Sequence, residues 1–308
     1  MKKFIKKNIL FFVCVITFLL AFDYFISFAL RKSIHVNNIA WSEIFTGELQ
    51  NDVVIMGSSR AVVQYNVIML DTLLHVNSYN LGVHGRKIET QILKYDTYRR
   101  LNCKPKLIIQ NIDFMTIGKD NAAAREQFFP YFYDKTFKQE VVELEELSLA
   151  DKYIPGFRYA GYLDRILSRF IVSSDGRQTV TKGYYSLEKE WNGNEFGKQA
   201  EIKYLQDSLV LHTFDDYLSE TKSENIKVIF VYAPLYIGAT EQIVNIEGMY
   251  QMYDSIARKH DIPILDYNYM SICYDTAYFF NATHLNKKGA ELFSAKLAHD
   301  IDSLGILK

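Results

Sequence analysis

Asp52-Val53-Val54-Ile55-Met56-Gly57-Ser58-Ser59-Arg60 (DVVIMGSSR) is the stretch on which the fold turns. An unbroken apolar run that stops at a glycine reads as a buried strand, not as one face of a helix. A strand with one wet face would alternate; this one does not, as expected where helices cover both faces of a parallel sheet. Runs of the same kind follow at 76–81 (a weaker one), 106–112 (KLIIQNI, after Pro105), 227–233 (KVIFVYA, before Pro234) and 261–266 (DIPILD). Helical patterns fill 61–74, 88–101, 241–259 and 287–304. The alternation predicts a three-layer α/β/α fold around a mostly parallel five-stranded sheet, flavodoxin-like, with chemistry beyond the carboxyl ends of the strands.

Upstream lies ILFFVCVITFLLAFDYFISFAL at 9–30, apolar except for Asp23. At 1.5 Å per residue it measures about 33 Å, against a hydrocarbon core of about 30 Å. Lys2, Lys3, Lys6 and Lys7 precede it, and only Arg31 and Lys32 follow at once. The positive-inside rule then leaves the N-terminus in the cytoplasm and the rest outside the cytoplasmic membrane. The rival is a cleaved signal peptide, but the run is long for one and lacks a small-x-small cleavage site. Asp23 is expensive in lipid, so it pairs with a partner helix or marks where the span ends. The organisation expected is an anchor over 1–32 and an α/β domain over 33–308.

Between about 118 and 219 the alternation breaks into an aromatic-rich, mixed-charge, partly helical insertion (QFFPYFYDKTF, FRYAGYLDRI, KGYYSLEKEW). Its aromatics either fill a small core of their own or form a lid over an acceptor, since aromatic faces stack on sugar rings. Packing is the simpler expectation.

The chain has 308 residues, 35 Lys+Arg against 36 Asp+Glu, 49% hydrophobic and 15% aromatic residues. That composition excludes a disordered chain. The charge balance gives no basic footprint, so nucleic acid is not an expected partner. Cys14, Cys103 and Cys273 have no zinc spacing, and at most one bridge, Cys103–Cys273, is open to them. No Walker or GxGxxG loop occurs, and no His/Asp/Glu cluster has metal spacing, so neither cofactor nor metal is expected.

Chemistry is carried by two short motifs at opposite ends of the chain. Gly57-Ser58-Ser59 leaves the first strand, and Asn281-Ala282-Thr283-His284 precedes the last helix. A serine hydroxyl needs an adjacent base to become nucleophilic, and a histidine in a loop at the same sheet edge supplies one. Each alone has a plainer explanation: Ser is a favoured helix N-cap, and a loop histidine is often surface. Together, and in this order, they resemble the SGNH (GDSL-like) hydrolase superfamily. More narrowly they are similar to its membrane-anchored envelope members, which act on acyl esters of polysaccharides or teichoic acids. The resemblance covers about 50–115 and 225–305 and implies Ser59 as nucleophile and His284 as base. Asn80-Leu81-Gly82-Val83-His84-Gly85 resembles the second block, which would make the N–H of Gly85 an oxyanion donor beside that of Ser59.

Two departures stand out. The family aspartate is Asn281, an amide that can orient an imidazole but brings no charge; Asp266 and Asp275 are the carboxylates that could substitute. The third block is also altered, to Gln110-Asn111-Ile112-Asp113; Asn111 is a weak oxyanion candidate there, and Asp113 is a candidate cap for the following turn. His84 reads as rim surface, and Arg60 as one member of a solvated pair with a carboxylate. The expected activity is that of an esterase or O-acyltransferase on an acyl-bearing envelope carbohydrate or polymer, with a membrane acyl-donor protein as a further partner. The alternative is a degenerate relative that binds glycan or scaffolds an envelope assembly without catalysis.

Overall fold

The computed structural model describes residues 1–33, 36–120, 124–172, 180–193, 202–204 and 206–307. It divides into two compact units, Met1–Ser42 with Ala122–Arg177, and Glu43–Asn121 with Gln178–Lys308.

The second unit holds five parallel strands: β1 (Val53–Met56), β2 (Ser78–Asn80), β3 (Leu107–Asn111), β4 (Lys227–Tyr232) and β5 (Ile264–Asp266). Their order is β2-β1-β3-β4-β5. β1, β2 and β3 are buried along their whole length; β1 (VVIM) and the first three residues of β3 (LII) therefore run apolar instead of alternating, while β2 (Ser78-Tyr79-Asn80) is a buried polar strand. On one face α4 (Ile88–Leu101) packs against α5 (Ser208–Ser223), which also meets α6 (Ile246–His260). Grouped on the other are α2 (Ser59–Gln64), α3 (Val67–Leu74) and α7 (Lys287–Ser303). The chain steps from β1 out to β2 and returns to β3 on the far side of β1, so the direction of winding reverses between β1 and β3. Crevices for chemistry open at such a switch point.

Some boundaries differ from expectation for local reasons. The helix expected over 61–74 is two helices, because Asn66 is extended and caps α3, accepting from Ile68 N–H and Met69 N–H at 3.1 and 3.2 Å. The helix expected over 241–259 begins later, at Asn245 in a left-handed conformation, whose side chain accepts from Gly248 N–H. The stretch expected as one insertion is shared between the units, with Ala122–Arg177 in the first and α5 a layer of the second.

In the first unit α1 (Lys2–Arg31) is a single helix, long and apolar enough to cross a membrane. Aromatics of the neighbouring segment fill a core of their own. Trp41 lies edge-on to Phe128 at 5.7 Å, and Phe129 stacks edge-on against Phe132 and Tyr159. No Cys103–Cys273 bridge forms: both are free thiols, Cys103 at the surface and Cys273 buried. Cys273 instead donates to the Tyr267 carbonyl at 3.4 Å, held there by the turn after β5.

Candidate active site

The serine turn leaves the end of β1. Gly57 has φ +154°, and a Cβ there would lie 2.7 Å from Ala61 Cβ and 2.8 Å from Asn111 Cβ, so only glycine lets the chain turn this tightly between α2 and β3. Ser58 and Ser59 follow at the start of α2, yet neither serves the helix as a cap. Ser58 sits at the N-cap position with no side-chain cap bond, and its hydroxyl donates to Asp113 Oδ2 at 3.4 Å. Ser59 is turned outward.

Its partner is His284, 225 residues further on, whose Nε2 lies 2.8 Å from Ser59 Oγ. The histidine rides on a small antiparallel pair, β6 (Phe279–Asn281) and β7 (His284–Leu285), just before α7. Asn286 fastens that pair to the helix: its side chain donates to the Ala277 and Phe279 carbonyls and accepts from Gly289 N–H.

The proton on the imidazole can be placed by its neighbours. Asn281 Oδ1 accepts from the backbone N–H groups of Thr283 and His284 at 3.0 and 2.9 Å, so this atom is the oxygen of the amide. The same oxygen lies 3.0 Å from His284 Nδ1 and can only accept, which places the proton on Nδ1 and leaves Nε2 with its lone pair toward Ser59. Thr283 Oγ1 adds a third contact, 3.0 Å from Nδ1 and 3.2 Å from Asn281 Oδ1.

The charges of the site lie beneath the serine turn. Asp113, just past β3, is buried and faces Arg60 Nη1 at 3.6 Å. It also accepts from Asn111 Nδ2 (3.2 Å), Met115 N–H (2.8 Å) and Ser58. Arg60 is buried as well, its Nη2 donating to the Ala233 and Pro234 carbonyls at the end of β4 at 2.6 and 3.2 Å. Burial, and then the Arg60 cation, push the His284 pKa down to about 4, while the Asp113 carboxylate pulls the other way. At neutral pH the imidazole is therefore uncharged.

Several expectations are corrected. Arg60 does pair with a carboxylate, but in the interior and not in solvent. Asn111 is buried behind Gly57, its oxygen accepting from Tyr65 OH at 2.8 Å and its amide nitrogen donating to Asp113 at 3.2 Å. Asp266 and Asp275 make no hydrogen bond to the histidine; they hold the backbone N–H groups of Asn268 and Ala277. His84 is half-buried, edge-on to Tyr185 at 6.4 Å, and not plain surface. Asp113 does cap its turn, but its larger part, facing both Arg60 and the serine turn, was hidden from sequence because only the β1–β3 pairing brings 60 and 113 together.

In the second-block loop the Gly82 N–H is spent on Asn80 Oδ1 at 2.9 Å, and Val83 N–H docks on the Gly57 carbonyl at 2.9 Å. Lys94, fully buried, donates to the Gly82 carbonyl at 3.0 Å, and burial lowers its pKa to about 7. Gly85 is at the exposed tip with φ +66° and open space around it.

No family model matches the sequence, and no curated protein matches it. Solved structures do align. A GDSL-like lipase of Bacteroides thetaiotaomicron shares 11% identity at TM-score 0.38, over 82% of this chain and 88% of that one. An acylhydrolase candidate of Bacteroides fragilis shares 12% at 0.37, over 82% and 86%. A candidate lipolytic protein of the G-D-S-L family from Desulfitobacterium hafniense shares 12% at 0.39, over 80% and 97%. At these identities and TM-scores the likeness assigns neither family nor activity to this chain. In this chain the five parallel strands run in the order β2-β1-β3-β4-β5, with the serine after the first strand and the histidine before the last helix, and on that α/β fold Ser59 and His284 meet.

Proposed function

We propose that this protein is a serine esterase or O-acyltransferase that acts on acyl esters of an envelope carbohydrate or polymer. It is held by α1 in the cytoplasmic membrane with Lys2–Lys7 inside. The observation that carries the reading is the 2.8 Å contact between Ser59 Oγ and a His284 Nε2 whose Nδ1 is held by Asn281.

Ser59 Oγ attacks the ester carbonyl while its proton passes to His284 Nε2. The negative charge on the tetrahedral intermediate meets the N–H of Ser59, at a helix start, and that of Gly85. Collapse breaks the bond to the alcohol, which takes the proton from His284 as it leaves. An incoming water or sugar hydroxyl, deprotonated by His284, then cleaves the acyl-serine ester; water makes the protein an esterase, a sugar hydroxyl an acyltransferase. A membrane acyl-donor protein would be the partner in the second case.

The test is a fluorophosphonate probe with p-nitrophenyl acetate turnover. The expected outcome is labelling of the wild type and none of Ser59→Ala. Absence of both labelling and turnover in a folded wild type would favour the second reading, a non-catalytic glycan-binding or scaffold protein. The observation on that reading's side is the uncharged Asn281 where a carboxylate would stabilise an imidazolium.

A further inference from the structure

The anchor helix is not bare along its length. From Met1 to Phe18 it is exposed almost throughout, but from Leu19 onward one side is covered by segment 124–172 of the same unit. Ser27 Oγ meets Tyr159 OH at 2.7 Å, and Arg31 donates to the Pro130 carbonyl at 2.6 Å. Asp23, expected to pair with a partner helix or to mark the end of the span, has its partners inside the chain: Arg158 Nη2 lies 2.6 Å from its Oδ2 and Gly156 N–H donates to its Oδ1 at 3.0 Å. Pairing and hydrogen bonding are what a charge at low dielectric requires.

Depth follows from helix geometry. With Lys7 at one boundary, a hydrocarbon layer of about 30 Å takes up about 20 residues, so Leu19 and Phe22 lie roughly 10 Å inside the other boundary. Gly156 packs at that level; a Cβ on it would be 2.7 Å from Phe22 Cδ1 and 3.6 Å from the Leu19 carbonyl. Around it the chain reads Tyr153-Ile154-Pro155-Gly156-Phe157, with Tyr153 75% exposed, Ile154 46% and Phe157 48%, and Leu149 nearby at 73%. In water such a patch is a liability; beside an apolar helix it continues the same lipid-facing surface. Cations sit among these rings: Lys138 over Phe132 and Tyr153 at 5.9 and 5.7 Å, and Arg158 over Phe132 at 5.1 Å. Aromatic rings interleaved with snorkelling cations are the chemistry of a headgroup boundary.

We propose that segment 124–172 is a lipid-seated collar against one side of the end of α1, with residues 153–157 inserted into the leaflet opposite Lys2–Lys7 and the part-buried Asp23–Arg158 pair at its base. The proposal rests on reading α1 as a span.

Its test uses the full chain in phosphatidylcholine–phosphatidylglycerol vesicles, with Cys14 and Cys103 changed to Ser and Cys273 buried. Single cysteines at Tyr153→Cys, Phe157→Cys and, as a reference in the other unit, Leu209→Cys carry an environment-sensitive nitrobenzoxadiazole label; Leu209 is 78% exposed. The expected result is blue-shifted emission at 153 and 157 that doxyl-labelled lipid quenches several-fold more than at 209, with aqueous iodide showing the reverse order. Iodide quenching at 153 and 157 equal to that at 209, in chain that floats with the vesicles, overturns the collar. A blue shift that lipid quenchers leave untouched also overturns it and makes the patch a protein interface. Chain that stays behind on flotation refutes the span itself. All three sites are exposed, and Tyr153 and Phe157 give two independent reports should one label disturb folding.

Discussion

The two halves of the candidate site are built on opposite terms. The serine turn stands on buried charge, with Arg60 and Asp113 beneath it and polar groups of β3 and β4 around them. The histidine turn is held by one neutral oxygen, Asn281 Oδ1, which gathers two backbone N–H groups and the ring N–H. In a serine triad a carboxylate stands next to the histidine; here the nearest carboxylate influence comes from under the serine, and Arg60 opposes it. Geometry for proton transfer is thus kept while the charge that would favour an imidazolium is moved away. The difference separates what orients a base from what strengthens it.

The largest effect should come from breaking either half. Ser59→Ala or His284→Ala should lower ester turnover by about 10³-fold or more, given what such groups supply when they act as a unit. Thermal unfolding should stay near wild type in Ser59→Ala, so a loss without unfolding reports chemistry. Turnover surviving Ser59→Ala above a tenth of wild type would remove the serine from the reaction.

Next in size is Asn281→Asp, which restores charge to the weaker half. Both carboxylate oxygens accept, so the backbone bonds from Thr283 and His284 persist while the ring gains a counter-charge. The expected outcome is a rise in kcat of at least tenfold, since the reverse exchange costs a serine protease about 10⁴. The acid limb of kcat/KM should move upward with it. A fall in both would mean that the amide nitrogen of Asn281 has a partner the reaction needs.

Arg60→Gln sharpens the comparison from the other side. His284 must be neutral to act as a base, so the wild-type acid limb should fall near pH 4 instead of near 6.5. Removing the cation that depresses it should carry the limb upward, and the Asp113 carboxylate adds to that direction. Stability should drop, by about 3 kcal/mol for a broken buried pair. A limb that stays at pH 4 in Arg60→Gln would locate the cause in burial alone.

How much of this was legible in the sequence depended on the range of the interaction. Unbroken apolar runs at β1, β3 and β4 announced buried parallel strands, and α4 was readable end to end because its pattern has no internal cap. Ser59 and His284 were legible because each motif is local, one tied to a strand end and one to a helix start. The Arg60–Asp113 pair was not, since it exists only through β1–β3 pairing, and arginine at a helix start ordinarily reads as solvated. Asn66 was missed for a different reason: an Asn inside a helical pattern signals a cap only when the chain before it is known to turn. Asp23 was recognised as costly, but its partner lies 135 residues away in a segment whose aromatics carry no helical or strand period.

The smallest expected effect concerns Thr283. Its hydroxyl lies between the ring and the amide, 3.0 Å from His284 Nδ1 and 3.2 Å from Asn281 Oδ1, so it donates to the amide while offering a second acceptor to the Nδ1 proton. Thr283→Val keeps the shape and the backbone N–H that Asn281 accepts, and removes the hydroxyl that donates to Asn281 Oδ1 and offers Nδ1–H a second acceptor. Nδ1–H then depends on Asn281 alone, and an imidazolium formed during turnover loses one hydrogen bond of roughly 1 kcal/mol. Turnover should fall about two- to fivefold, with KM unchanged, because the bond matters most when the ring is charged. In Asn281→Asp the same change should do less, since a carboxylate satisfies the proton without help. Equal losses in the two backgrounds would show that Thr283 acts on the shape of the turn and not on the ring, and the histidine half would then be held by packing as much as by its single oxygen.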